Sequence, residues 1–264
     1  GTVTIEDGVR MGSAITAVTQ DSTSSTLIIR GGAGGTTTYS GITTVSAGQL
    51  QLASGHEGLA SSSEFMIGDT AADGHGTTAN STFNVNYDSN AGLTLGAGQI
   101  LTGFGTVSGH AVTLTTGATL KPGNGTSTGG LEFTNSGLSI SGGNLDYYLN
   151  TPTSSALAGT VALTIGQSET LMVDAGPSFG DGTYYLLDSV GAITNNSSSF
   201  SGWTADLPAG YSGSFVIGTD PNNSSAHSVE LIVAGTAVPE PASLALMCLG
   251  SCGLLWRKSR RRIV

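Results

Sequence analysis

Basic side chains are nearly missing from the first 256 residues of this 264-residue chain: Arg10, Arg30 and Lys121 stand against 18 acids, a balance of −15. Such a body repels phosphate backbones, which excludes nucleic acid as a partner. Cysteine is confined to Cys248 and Cys252, so the body has no disulfide and no thiol for catalysis or zinc. The four histidines, His56, His75, His110 and His227, form no H-x-x-x-H pattern and sit among small residues, as surface-loop histidines do. No apolar run with a 3.6-residue period occurs before residue 242. The chain begins Gly-Thr-Val without an initiator Met, and the expectation is an export leader that is missing or already removed.

What is present points to strands. Charged residues make up only 10% of the chain and Gly fills 41 positions, a composition that disfavours helices. Hydrophobic residues still reach 38%, enough to build a core rather than a disordered polar chain. Short apolar runs bounded by Gly, Ser or Asn recur, among them Thr26–Ile29, Val112–Leu114, Leu138–Ile140, Tyr184–Leu187 and Val229–Val233.

Aligned, these runs show a degenerate repeat of an apolar residue, small residues, Gly and a second apolar residue. It reads Val45-Ser46-Ala47-Gly48-Gln49-Leu50 and Leu95-Gly96-Ala97-Gly98-Gln99-Ile100, then continues through Gly117 and Gly143. The four glycines lie 50, 19 and 26 positions apart, spacings near one coil of a solenoid or a multiple of it. Each unit is too small to bury its own apolar face and must stack on a neighbour. Gly48, Gly98, Gly117 and Gly143 are the predicted corners, where φ > 0 or a close backbone approach rules out a side chain. Leu50 and Leu52 then point inward while Gln49 and Gln51 face solvent.

Aromatics gather later in the chain, at Tyr184, Tyr185, Phe200, Trp203, Tyr211 and Phe215. A solenoid end exposes an apolar stack and needs covering, so this region reads as an antiparallel cap closed by a strand over Ser228–Val233. The expected architecture is all-β: a right-handed parallel β-helix over 1–183, with residues 1–25 weakly defined, a β cap over 184–236, and a tail over 237–264 carrying a short hydrophobic helix at 242–256.

Two family resemblances attach to these motifs. "GGAGGTTTYSGITTVSAGQLQLAS", Gly31 to Ser54, resembles the autotransporter-associated β-strand repeat of exported bacterial proteins, and Leu101 to Phe133 looks like the continuation usual in such passengers. The tail resembles the PEP-CTERM sorting signal through Pro239-Glu240-Pro241, the apolar run Ala242 to Trp256, and the basic cluster Arg257, Lys258, Arg260, Arg261 and Arg262. Together they imply a Gram-negative exported protein whose tail is recognised and cut by an exosortase-type enzyme.

Physical chemistry agrees for the tail. Fifteen residues span about 22 Å as a helix, short of a hydrocarbon core of about 30 Å, which suits a temporary anchor in the inner membrane. The basic flank favours the cytoplasmic side and leaves the acidic body outside. The prolines hold an extended, protease-accessible stretch before the helix.

The remaining chemistry is sparse. Asp69, Asp73 and Asp181 are weak candidates for calcium, since neither "DTAADGHG" nor "GDG" matches a D-x-D-x-D-G loop. Asp146, Asp174 and Asp188 read as turn or strand-edge residues. The expectation is a non-enzymatic structural or adhesive protein, without cofactor, displayed on the cell surface or in the extracellular matrix and touching extracellular polysaccharide. The alternatives are a carbohydrate-active β-helix enzyme, such as a polysaccharide hydrolase, and a calcium-binding surface module.

Overall fold

A computed structural model describes residues 1–5, 11–30, 39–53, 59, 61–68, 81–86, 92–124, 130–152, 160–196, 198–219 and 227–235. Among these residues there are strands and one short 3-10 turn, Ser198–Phe200, and no α-helix. The first strands are β1 (Thr2–Ile5), β2 (Ala17–Ile29) and β3 (Ile42–Leu52). Short ones follow: β4 (Glu64–Ile67), β5 (Ser81–Val85), β6 (Leu93–Leu95), β7 (Ile100–Gly103), β8 (Thr106–Gly109), β9 (Val112–Leu114) and β10 (Thr119–Pro122). Next come β11 (Glu132–Ile140), β12 (Asn144–Leu149), β13 (Thr160–Ile165), β14 (Thr170–Ala175) and β15 (Gly182–Ser189). The last are β16 (Ile193–Asn195), β17 (Thr204–Asp206), β18 (Tyr211–Thr219) and β19 (His227–Gly235).

Nearly all of these strands stack in parallel, in three ladders. The first pairs Ala17, Ile42, Glu64, Ile100, Thr119, Asn144, Thr170 and Thr204 in register, coil after coil. The second pairs Thr2, Thr26, Gln49, Thr82, Thr106 and Glu132. The third, which begins at β6, pairs Leu93, Val112, Leu138, Leu163 and Ile193. β2 and β3 are long enough to serve the first ladder with one half and the second with the other. The result is a solenoid-like β-helix.

Strand alternation puts the apolar half of each strand inside. Leu50, Phe83 and Val107 stack in one ladder, Phe65, Leu101, Leu120, Leu145 and Leu171 in another, and Leu95, Leu114, Ile140 and Ile165 in the third; all are fully buried. Phe65 and Phe83 stack with ring centroids 5.3 Å apart, joining two ladders across the interior. Leu50 and Leu52 point inward as their alternation requires, while Gln49 and Gln51 lie half-exposed. Burying one such leucine or phenylalanine contributes about 1.5–3 kcal/mol, and the contribution requires the coil above or below.

Corners between ladders depend on glycine. Gly48, Gly98 and Gly117 have φ of 74°, 80° and 82°. In the fourth repeat the left-handed residue is Gly142, at φ 78°, and not Gly143. The register explains the shift: Thr119 pairs with Asn144, so the residue two before it, Gly117, stacks on Gly142. Gly143 makes only ordinary van der Waals approaches.

The far end closes with antiparallel strands. β19 pairs with β15 on one side and β18 on the other. Parallel pairing meanwhile continues through β16 and β17 to Asp206, so coil and cap overlap in sequence from 182 to 206 instead of meeting at residue 183. Trp203 packs edge-on against Phe200 and Phe215, centroids 5.1 Å from each, and Phe179 stacks on Tyr184 at 5.3 Å. Such aromatic pairs add about 0.5–1.5 kcal/mol each beyond their burial. The hydrophobic segment 242–256 lies outside the described residues; among those described, no helix is long and apolar enough to cross a membrane.

The corners yield a graded prediction. A Cβ at Gly48 would sit 2.1 Å from the Ser22 carbonyl oxygen, whereas one at Gly98 meets nothing within 4 Å. Gly98→Ala bears only the left-handed backbone cost of about 1–2 kcal/mol. Gly48→Ala bears that and a backbone clash, and lowers the melting temperature further. Equal shifts in thermal denaturation would refute the assignment of Gly48 to a close coil-to-coil approach.

Candidate functional site

Outward-facing positions are where a solenoid meets a partner, and register decides which side chains become neighbours. In the third ladder the outward residues are Thr94, Thr113, Ser139, Thr164 and Thr194, each paired with the next. Five consecutive coils therefore carry one hydroxyl each along a straight row, at the inter-strand spacing of about 4.8 Å. Thr94 and Thr194 are exposed and the three between them half-buried.

The outward side of the first ladder carries charge. Lys121 Nζ lies 2.5 Å from Asp146 Oδ2 on the next coil and 3.8 Å from Asp174 Oδ2 on the one after. Asp146 thus stands in the middle of β12, while Asp174 is the next-to-last residue of β14. The Lys121–Asp146 pair is half-buried and Asp174 beside it is exposed, and the interest of the cluster is chemical: two carboxylates and an ammonium meet on one face. Sequence spacing hides the cluster because its members are 25 and 28 residues apart and become neighbours only when the coils are in register.

Asp188, expected at a turn or strand edge, is the next-to-last residue of β15. It is 4% exposed and has Ser228 as its register partner. Tyr147, fully buried, donates its hydroxyl to the Leu186 carbonyl at 2.8 Å. Burial, and then the Asp188 charge, push the Tyr147 phenol well above its usual range, which keeps it neutral.

Glu169 is a residue that sequence reasoning missed. It occupies the turn between β13 and β14, where Oε1 accepts from Gly166 N at 2.9 Å and Oε2 from Gly142 N at 2.8 Å on the preceding coil. Gln99 holds the corresponding turn between β6 and β7: its Oε1 accepts from Gly96 N and its Nε2 donates to the Ser62 carbonyl, both at 2.7 Å. The signal was available, since "LGAGQI" and "IGQSET" place Gly and an amide or acid side chain three residues apart. Burial raises the Glu169 carboxyl above its ordinary value, and the two backbone donors oppose this with smaller effect.

Of the calcium candidates, Asp69 and Asp73 lie outside the described residues. Asp181 accepts from Gly235 N, tying the last residue of β19 to the loop before β15. Among the described residues no three His, Cys, Asp or Glu side chains gather as a metal site. One motif passed over in the sequence, Gly125-Thr126-Ser127-Thr128-Gly129, has G-x-S-x-G spacing. It lies outside the described residues.

Pro239, Glu240 and Pro241, and the cluster Arg257, Lys258, Arg260, Arg261 and Arg262, also lie outside the described residues. The last described residue, Gly235, ends β19 at the cap, so the tail leaves from the closed end of the coil stack. A comparison with protein families finds the PEP-CTERM protein-sorting motif over residues 237–262. That motif implies a secreted protein directed to the cell envelope and sorted by an exosortase. No curated protein and no solved structure matches the chain.

Glu169 supplies the electrostatic test. With its folded pKa raised, the folded state holds the proton more tightly than the unfolded chain. Its contribution is fully present below the unfolded value of 4.5 and is lost as pH rises through the raised folded value. Glu169→Gln therefore flattens that part of the stability–pH curve. Glu169→Ala leaves two backbone N–H groups without their acceptor and destabilises by about 1–3 kcal/mol at constant pH. A wild-type curve indistinguishable from that of Glu169→Gln would contradict the raised pKa.

Proposed function

We propose that this chain is a non-enzymatic structural or adhesive protein, displayed on the cell surface or in the extracellular matrix after its tail has been removed. The observation that carries this reading is the in-register hydroxyl row Thr94, Thr113, Ser139, Thr164 and Thr194. Hydroxyls on successive coils both donate and accept, which suits contact with polysaccharide chains. Each hydrogen bond contributes only about 1 kcal/mol net, so useful affinity arises from many coils and many copies acting together.

In this reading the body is a right-handed β-helix, by the crossover rule for parallel strands, with Gly31 to Ser54 as one autotransporter-associated repeat. Residues 242–256 form a transient helix in the inner membrane, and the basic cluster beyond it holds the cytoplasmic side. Exosortase acts at Pro239-Glu240-Pro241, and the body passes to the surface or matrix.

A second reading, a polysaccharide hydrolase, is favoured by Asp146 and Asp174 meeting beside Lys121 on one outward face. Paired carboxylates are the groups that glycosidases use as acid and base or nucleophile. Incubation with a panel of polysaccharides separates the two: display predicts no new reducing ends, and hydrolysis predicts reducing ends that vanish in Asp146→Asn.

Sorting is tested by measuring the mass of the mature C-terminus in protein recovered from envelope and surface fractions of the native host. The expected end falls at or near Pro239 to Pro241. An intact Val264 would mean a standing anchor and would end the proposal of release to the surface.

A further inference from the structure

A pocket of about 150 Å³ opens on the outward side of the first ladder, where β4, β7 and β10 stack. Its lining includes three glycines from three successive coils, Gly68, Gly103 and Gly123, with φ of 70°, 117° and 83°. Their positions are held firmly. Gly103 and Gly123 exchange both backbone hydrogen bonds, at 3.1 and 2.7 Å, and the Thr102 hydroxyl donates to the Gly123 carbonyl at 3.0 Å. A Cβ on Gly103 would lie 2.1 Å from the Ile67 carbonyl oxygen, so this part of the wall has no side chain and cannot acquire one. Gly103 pairs with Ile67 and Pro122, and Gly68 and Gly123 follow those partners by one residue, so glycine backbone from three coils lines the hollow where these strands end.

The remaining walls are of two kinds. Phe104 and Met66 are apolar, while Glu64, Lys121 and Asn124 are polar. We propose that this pocket is a subsite for one neutral hexose ring, a chemistry that deepens the display reading above and rests on it. Size is the first argument: a cavity of about 150 Å³ takes a single six-membered ring, as an engineered cavity of that size takes benzene. The second is the mixture of walls, since a sugar ring presents apolar C–H faces to an aromatic and hydroxyls around its rim. Those hydroxyls donate to the Glu64 carboxylate and accept from Lys121, with the Asn124 amide offering both.

Charge decides against the acidic sugars. Lys121 is the cation at this site, and its ammonium already contacts Asp146 and lies near Asp174. A uronate carboxylate would meet Glu64 and both aspartates on a body that carries −15 overall. A neutral ring meets no such repulsion.

The test is titration of the full chain in detergent with glucose, a neutral gluco-hexaose and a galacturonate hexamer, followed by ligand-observed NMR. The neutral sugars bind with millimolar affinity, and the galacturonate does not. Phe104→Ala and the exposed-loop variant Asn124→Ala each weaken neutral-sugar binding about tenfold, one logarithmic unit in Kd. Asn124 is exposed, so its variant keeps the fold and reports on the pocket even if Phe104→Ala unfolds. Hexaose binding more tightly than glucose assigns the ring to a polymer; equal affinity assigns it to a free sugar, and either supports the subsite. No binding of either neutral sugar, binding unchanged in both variants, or preference for galacturonate overturns it. The C-terminal mass measurement reads out surface release independently, so failure of the pocket and failure of the display reading give different results.

Discussion

Register between coils is the constraint on which the rest of this structure depends. A strand of three or four residues, such as Val112–Leu114, can bury two side chains at most and has no stability alone. Its hydrogen bonds and its apolar partners both come from the coils above and below, and both demand the same alignment. Leu114 is buried because it lies between Leu95 and Ile140; a slip of one residue would turn Thr113 inward and Leu114 to solvent. Inward stacks, outward rows and corner glycines are consequences of that one alignment.

The same constraint explains how a chain with so few charged residues is organised chemically. Parallel stacking repeats each outward position at a fixed spacing, so whatever residue type recurs there becomes a row. In the third ladder that residue is Thr or Ser, and a hydroxyl row results. In the first ladder one lysine and two aspartates fall on successive coils, and a charged cluster results beside a hollow floored by glycine. Side chains also bind coil to coil at the corners: Glu169 holds two adjacent corners through one carboxylate, and Gln99 does so through one amide. The antiparallel strands β15, β18 and β19 end the stack, with Trp203, Phe200 and Phe215 packed against it, and the sorting tail leaves from that closed end.

Much of the architecture was legible from residue order. Strand positions, the cap and three of the four corner glycines followed from local signals, because glycine corners and alternating apolar residues act over a few residues. The fourth corner, Gly142 in place of Gly143, shows the limit: two adjacent glycines satisfy the pattern equally, and only stacking on Gly117 selects between them. The boundary between coil and cap was less legible for a related reason. β15 joins a parallel neighbour and an antiparallel one, which local sequence does not distinguish. Asp188, read as a turn or strand-edge residue, is buried next to the end of that strand.

Sequence by itself determined the address and the material: a PEP-CTERM tail at the end of an acidic, hydroxyl-rich, strand-forming body. Those are properties of composition and of contiguous motifs, and they need no fold to be read. Tertiary structure alone decided which side chains share a surface. Coils differ in length, 19 residues from Ile100 to Thr119 but 36 from Glu64 to Ile100, so no fixed period in the chain predicts the neighbours. Lys121 meets Asp146, and Gly68, Gly103 and Gly123 line one pocket, because hydrogen-bonded register and buried apolar stacks hold those coils together.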